Sequence, residues 1–234
     1  MNNHHSSPTR DDYEIIFSNC RRILGSKTWG RVLAALEKDV DPQAFPDALL
    51  SSGVDSDVPE YLHELARLEW ELERIKNNNT SFQRSPERLG INPFLTLVPV
   101  SWKNLAALVD ADSEKEIPKP VPSKTHVLIW RHPRTRDVHV REAEEVDLLS
   151  LKIVMENIDP RDAASMGGIH VGAIHSALER AITQGILITP DSRIKRVVPQ
   201  SVEKNENTDA FLTAKTFKLQ WHITKKCDLN CTNC

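Results

Sequence analysis

The stretch "DADSEKEIPKPVPSK", residues 110–124, constrains this chain more than any other, because it interrupts every apolar pattern around it. Pro118, Pro120 and Pro122 stand among charges there, and such a segment buries little surface and favours extended backbone. Residues 111–124 are therefore expected to link a first module over residues 1–110 to a second one beginning at residue 125. The chain has 234 residues, of which 39% are hydrophobic, enough to build a core.

The first module reads as helical. "DYEIIFSNCRRIL" sets Ile16, Cys20, Ile23 and Leu24 on one stripe, which makes Cys20 a core position rather than a reactive one. "SKTWGRVLAALEKD" repeats the stripe with Trp29, Val32, Leu33 and Leu36, and Ser26 suits its N-cap. The clearest helix is "DVPEYLHELARLEWELERIKNNN". Its Tyr61, Leu65, Leu68, Leu72 and Ile75 share a face, and Pro59 suits the first turn. Trp70 falls on the opposite side beside Ala66, which predicts a second packed face, since large aromatics contribute most when desolvated. "GINPFLTLVPVSWKNLAAL" has apolar content without clean periodicity and is expected to be irregular, with one short helix.

The second module, residues 125–198, opens as a hairpin. Val127–Trp130 form an apolar strand, Pro133 marks a polar turn, and Val138 and Val140 alternate with His139 and Arg141. A helix follows in "AEEVDLLSLKIVMENI", apolar around much of its circumference and so buried between neighbours. "DPRDAASMGG" reads as a break. A second helix, "IHVGAIHSALERAITQG", carries Val171, Ile174, Leu178, Ala181 and Ile182 at helical spacing and ends on Gly185. "ILITPDSRIKRVV" then reads as a closing hairpin turning at Pro190 and Asp191. The whole is winged-helix-like, and the fold class expected for the chain is α+β.

Winged helices commonly bind DNA, but this module is neutral, with ten Lys or Arg against ten Asp or Glu between residues 125 and 198. Phosphate neutralisation supplies most non-specific affinity, and the helix that would enter the major groove carries one Arg and one Glu. Only the wing, with Arg193, Lys195 and Arg196, is basic. Nucleic acid is not an expected partner. A plain packing role remains open, as does peptide binding by strand addition to a sheet edge supplied by the first hairpin. His126, His132, His139, His170 and His175 show no ligand pair one helical turn apart; His170 and His175 are five positions apart and diverge on a helix.

A polar linker over residues 199–214 precedes "KTFKLQWHIT", in which Phe217, Leu219, Trp221 and Ile223 alternate with polar residues as in a strand. Then comes "CDLNCTNC". Cys227, Cys231 and Cys234 on one loop suit a soft, thiophilic centre, either zinc or an iron–sulfur cluster. Lys225 and Lys226 stand just before Cys227, where cations favour thiolate over thiol.

This CxxxCxxC after an apolar strand resembles the cluster motif of the radical S-adenosylmethionine enzymes. "FKLQWHITKKCDLNC" is similar in particular to members that modify peptides, including maturases of the selenobiotic or thio(seleno)oxazole type. "YLHELARLEW", "VLIWRHP" and "LERAITQGILI" resemble a DNA-binding-like domain family that accompanies peptide-modifying systems, the second half of which resembles elements that grip leader peptides. The resemblance implies that Cys227, Cys231 and Cys234 each bind one iron of a [4Fe-4S] cluster, with S-adenosyl-L-methionine on the fourth. It also implies reductive cleavage of that cosubstrate to a 5′-deoxyadenosyl radical, a precursor peptide as substrate and an electron-donor protein as partner. Residues 215–234 would then open a partial barrel whose remaining strands are not in this sequence, so that the chain is a fragment, inactive by itself.

The alternative is a winged-helix DNA-binding regulator with a C-terminal cysteine-rich zinc or iron–sulfur sensor. The net charge of −3 predicts no general attraction to polyanions. The N-terminus lacks an apolar signal region, and no apolar run approaches the roughly 18 residues of a membrane span. A cytoplasmic protein without membrane partners is expected, in keeping with unpaired cysteine usage.

Overall fold

A computed structural model of the chain describes residues 9–35, 40–51, 58–78, 86–110 and 118–190, all within one compact unit. The fold is α+β. In chain order the elements are α1 (Arg10–Ile16), α2 (Ser18–Ala35), α3 (Phe45–Ser51), α4 (Leu62–Asn77), β1 (Gly90–Ile91), β2 (Leu95–Lys103), α5 (Leu105–Val109), β3 (Val121–Arg131), β4 (Val138–Glu142), α6 (Glu145–Met155), α7 (Pro160–Gly167), α8 (Val171–Thr183) and β5 (Leu187–Ile188). The polar linker, the strand expected over Phe217–Ile223 and the basic wing all lie outside the described residues.

The apolar run "VLIW" explains the architecture. Successive strand residues point to opposite faces, so a strand that reads apolar without alternation must be covered on both. β3 is central in an antiparallel sheet of order β2-β3-β4. Val127 and Ile129 join Val98 and Val100 of β2 in a cluster with the N-terminal helices, whereas Leu128 and Trp130 enter a second cluster with α6, α7 and α8. Each such side chain, fully buried, contributes about 1.5–3 kcal/mol.

On the first face the core is built around α4, where Leu62, Leu65, Ala66 and Leu68 are buried. Burial extends to Leu62, Ala66 and Glu69, away from the expected stripe, and Trp70 packs half-buried against the same core. The second packed face is therefore present. Tyr13, Phe17, Trp29 and Phe45 complete this core as an aromatic group, with the Phe17 and Phe45 ring centroids 4.3 Å apart. α1 begins with a capping box between Thr9 and Asp12. α2 is interrupted at Gly25, whose φ of 70° and ψ of 160° are not helical, one residue before the cap expected at Ser26.

Several local expectations are corrected. "LTLVPVSWK" is the strand β2, not irregular structure; the short helix expected after it is α5. Pro99 masked the period of two, and its lack of an N–H is tolerated because β2 is an edge strand. β3 starts at Val121, inside the proline-rich stretch, and pairs Val121 with Lys103 and Pro122 with Trp102. Residues 111–117 of that stretch lie outside the described residues. "DPRDAASMGG" is α7, not a break: Asp159 accepts from the Arg161 N–H, Pro160 occupies the first turn, and Gly168 ends the helix in the left-handed region. Of the expected closing hairpin, Leu187–Ile188 form β5, which pairs with Gly90–Ile91 from before the proline-rich stretch; the return strand, from Asp191, lies outside the described residues.

Truncating Leu128, which is 0% exposed between strand and helices, to alanine is expected to cost about 2–5 kcal/mol. Leu97→Ala, at a residue 37% exposed, should cost about 1 kcal/mol or less. Urea unfolding midpoints of the two variants check this ordering.

Candidate peptide-binding edge

Cys227, Cys231 and Cys234 lie outside the described residues, as do His222, Lys225 and Lys226. Among the described residues no three His, Cys, Asp or Glu side chains are grouped so as to hold a metal ion. Cys20 is a core residue: it is fully buried, its thiol donates to the Leu62 carbonyl at 3.8 Å, and burial and the neighbouring Glu69 push its pKa well up. The histidines of the second module take up local tasks. His170 caps α8 by accepting from the Gly172 N–H at 3.0 Å. The His132 imidazole accepts from the N–H groups of Arg134 and Thr135 in the β3–β4 turn, and the His139 ring lies 5.1 Å from that of Trp130.

The described residues instead offer a sheet edge. Hydrogen-bonded and outward-facing residues alternate along an antiparallel strand. Arg131 donates its N–H to the Phe94 carbonyl across β2–β3, which fixes that alternation and turns the main-chain groups of Pro99 and Ser101 outward. Pro99 has no N–H to offer, and the Ser101 N–H is held by the Glu64 carboxylate at 2.8 Å. The β2 edge is thus blunted at Pro99 and Ser101, whereas Leu97, which the same alternation turns outward, has no main-chain hydrogen-bond partner among the described residues.

The opposite edge differs. His132 donates to Asp137 and Ala143 donates to His126 at the two ends of the β3–β4 ladder, both at 2.8 Å, which turns Val138, Val140 and Glu142 outward. Arg141 Nη1 donates to the Glu142 carbonyl at 3.0 Å. No described residue hydrogen-bonds the outward main-chain groups of Val138 and Val140. Their side chains are half-buried against the N-terminal core, so the strand is held firmly while no other described strand pairs with its edge.

Three polar devices fix β4 in place. Asp147, in the first turn of α6 and 2% exposed, takes both Arg141 amino groups at 2.6 and 2.8 Å and the Glu144 N–H at 2.8 Å. Arg141 lies over the Trp130 ring and donates to the Gln184 side chain, while the Trp130 indole donates to the Gln184 carbonyl at 2.9 Å. At the far end of β4 the Glu142 carboxylate accepts from the Asn104 N–H. In the next strand the Arg131 guanidinium, in a residue 7% exposed, donates to the carbonyls of Ile75, Lys76 and Asn78 and so satisfies the C-terminus of α4.

Beside Val138 the surface sinks into a cleft of about 370 Å³ lined by Lys76, Arg131, Arg136 and Val138. Among the described residues its ionisable lining groups, Lys76, Arg131 and Arg136, are cations.

Burial alone would raise the Asp147 carboxyl, but the Arg141 hydrogen bonds, the Glu144 N–H and the charges of Arg141 and Arg180 outweigh it and hold the pKa below the ordinary value. The same hydrogen bonds raise Arg141. Glu69 is different: burial pushes it up against the N–H groups of Asn19 and Cys20, which it caps at the start of α2. Sequence reasoning missed Arg141, Asp147 and Arg131 because charged side chains are ordinarily solvated. The one available signal was an acid three residues after Glu144, where a capping box places it.

Compared with known proteins, the chain matches no protein-family model, and no curated protein matches it.

Asp147→Asn should destabilise the protein by about 2–3 kcal/mol at neutral pH, because Arg141 loses its charged partner. An acid whose pKa is depressed by folding contributes stability above its unfolded pKa and loses it below. The difference between wild type and Asp147→Asn is therefore expected to persist down to the ordinary value of 3.8 and to shrink as pH falls further. Thermal unfolding of both proteins from neutral into acid solution measures it.

Proposed function

We propose that residues 9–190 hold a precursor peptide in a radical S-adenosylmethionine enzyme, with the peptide lying as an added strand along β4. The observation that carries the first half is the difference between the two sheet edges: β2 is blunted at Pro99 and Ser101, while among the described residues nothing hydrogen-bonds the outward main-chain groups of Val138 and Val140 on β4. Strand addition uses main-chain groups and so accepts many sequences, as a peptide-modifying enzyme requires of its substrate-holding part. Against the regulator alternative stands Arg180, the one Arg of α8, which pairs with Glu144 at 2.9 Å instead of facing solvent alone. No helix among the described residues is long and apolar enough to cross a membrane.

The second half rests on the donor set. Three cysteines at CxxxCxxC spacing supply three soft thiolates, which fit a [4Fe-4S] cluster that keeps one iron for a cosubstrate. Such a cluster, reduced by a donor protein, supplies the electron that cleaves S-adenosyl-L-methionine. On this reading Cys227, Cys231 and Cys234 hold the cluster, and the lysine pair before them favours the thiolate form. The β4 edge restrains the peptide, and the hard chemistry belongs to the cofactor.

Two measurements test the halves separately. Hydrogen exchange should show the Val138 and Val140 amides exchanging quickly in the free protein and slowing on peptide binding, with the Ser101 amide unchanged; protection arising on β2 or on α8 instead would sink the edge assignment. Anaerobic reconstitution with iron and sulfide should give the chain iron, inorganic sulfide and charge-transfer absorbance. Replacing Cys227, Cys231 or Cys234 by alanine should abolish all three signals, whereas replacing Cys20 should not. Tight zinc binding with no sulfide retained would overturn the cluster.

A further inference from the structure

We infer that a strand added along β4 is selected by an aromatic side chain lying against His139. The inference rests on the edge reading above and names the substrate class that edge takes: extended peptides with Phe, Tyr or Trp at one fixed position. Trp130 and His139 are direct partners across β3 and β4. Their ring centroids lie 5.1 Å apart, with the planes inclined by only 30°. Neighbouring strands are about 4.7–4.9 Å apart, so the two rings stand one per strand, nearly parallel, at the spacing of the sheet itself. A ring in the next strand continues that row. Trp130, 4% exposed, closes its inner end, whereas His139 is exposed and ends the row on the side where no other described strand pairs.

Main-chain geometry sets which peptide residue meets the imidazole. The outward groups of Val138 and Val140 lie on either side of His139. An antiparallel strand that bonds both places its intervening residue opposite His139, in the non-hydrogen-bonded register where side chains approach most closely. A parallel strand bonds both through the residue beside His139 itself. In either direction one peptide side chain lies next to His139 on the same face of the sheet. Val138 and Val140 direct their side chains to the other face, against the N-terminal core. Arg141, which shares the face of His139, is engaged by Asp147, Gln184 and Trp130. The His132 ring stands edge-on to His139 at 6.3 Å and flanks the row at the turn. His139 is therefore the β4 side chain that an added strand meets on this face, and a planar ring is the shape that extends two stacked rings.

Selection of short random peptides on the full chain, followed by competition with backbone N-methylated copies, tests this. Among binders that N-methylation abolishes, Phe, Tyr or Trp should dominate one position, and changing it to Leu should weaken binding about two- to fivefold. The aromatic peptide should move the His139 ring protons upfield in the NMR spectrum, and its Leu copy should not. His139→Ala should bring the two copies to equal affinity, and His139→Phe should restore the difference. N-methyl-sensitive binders without an aromatic preference, binders that favour an acidic or β-branched residue at that position, or an aromatic preference that survives in His139→Ala, would overturn the His139 assignment alone. If no binder is sensitive to N-methylation, or none is selected, the edge reading falls with it.

Discussion

The side chains of Val127, Leu128, Ile129 and Trp130 enter two hydrophobic clusters in turn, and neither cluster is complete without them. One strand therefore serves as the inner wall of both helical layers. Removing either layer would expose half of "VLIW" to water, a loss of several kcal/mol at about 1.5–3 kcal/mol per side chain. The proline-rich stretch between β2 and β3 connects parts that share this strand, and its length in sequence does not imply distance in space.

Apolar burial fixes the layers but not their register, because hydrophobic attraction has no direction. Register comes from buried polar groups with one satisfying geometry. Asn92, 1% exposed, donates from its amide to the carbonyls of Arg131 and Gly185 and accepts from the Phe94 N–H, which joins β3, the end of α8 and the start of β2. Arg131 and the Arg141–Asp147 pair act likewise. Buried charges gain little net stability, since desolvation offsets most of the attraction, but breaking one partner is costly. Such groups penalise every misregistered packing more than they reward the native one.

This division also explains what the sequence could be made to say. Amphipathic α4 and α8, the β3–β4 hairpin and the core place of Cys20 were legible because each follows from the period of its own apolar residues. β2 was not, because Pro99 interrupts a pattern that only its edge position makes tolerable, and α7 was hidden because its signals are caps rather than periodicity. The candidate edge was half legible. Alternation named the hairpin as its source, but whether an edge is open depends on what its neighbours do, and Glu64 lies 37 positions from the Ser101 N–H it occupies. No local pattern carries that information. The cysteine motif is the reverse case, conspicuous in sequence and outside the described residues.

An open edge is a hazard unless its strand is rigid and its length short, since unpaired main-chain groups invite aggregation. β4 meets both conditions. It spans only Val138–Glu142, with the tight turn braced by the His132 imidazole at one end and the Glu142 carboxylate tied to Asn104 at the other. Rigidity matters equally for binding, because a strand already held in extended geometry loses less conformational entropy when a partner pairs with it. The Arg141–Asp147 pair thereby has a second consequence. By fixing β4 against α6 and α8 it prepares the edge beside Val138 and Val140, and a variant that loosens the pair should weaken the proposed strand addition even where global stability suffices to keep the fold.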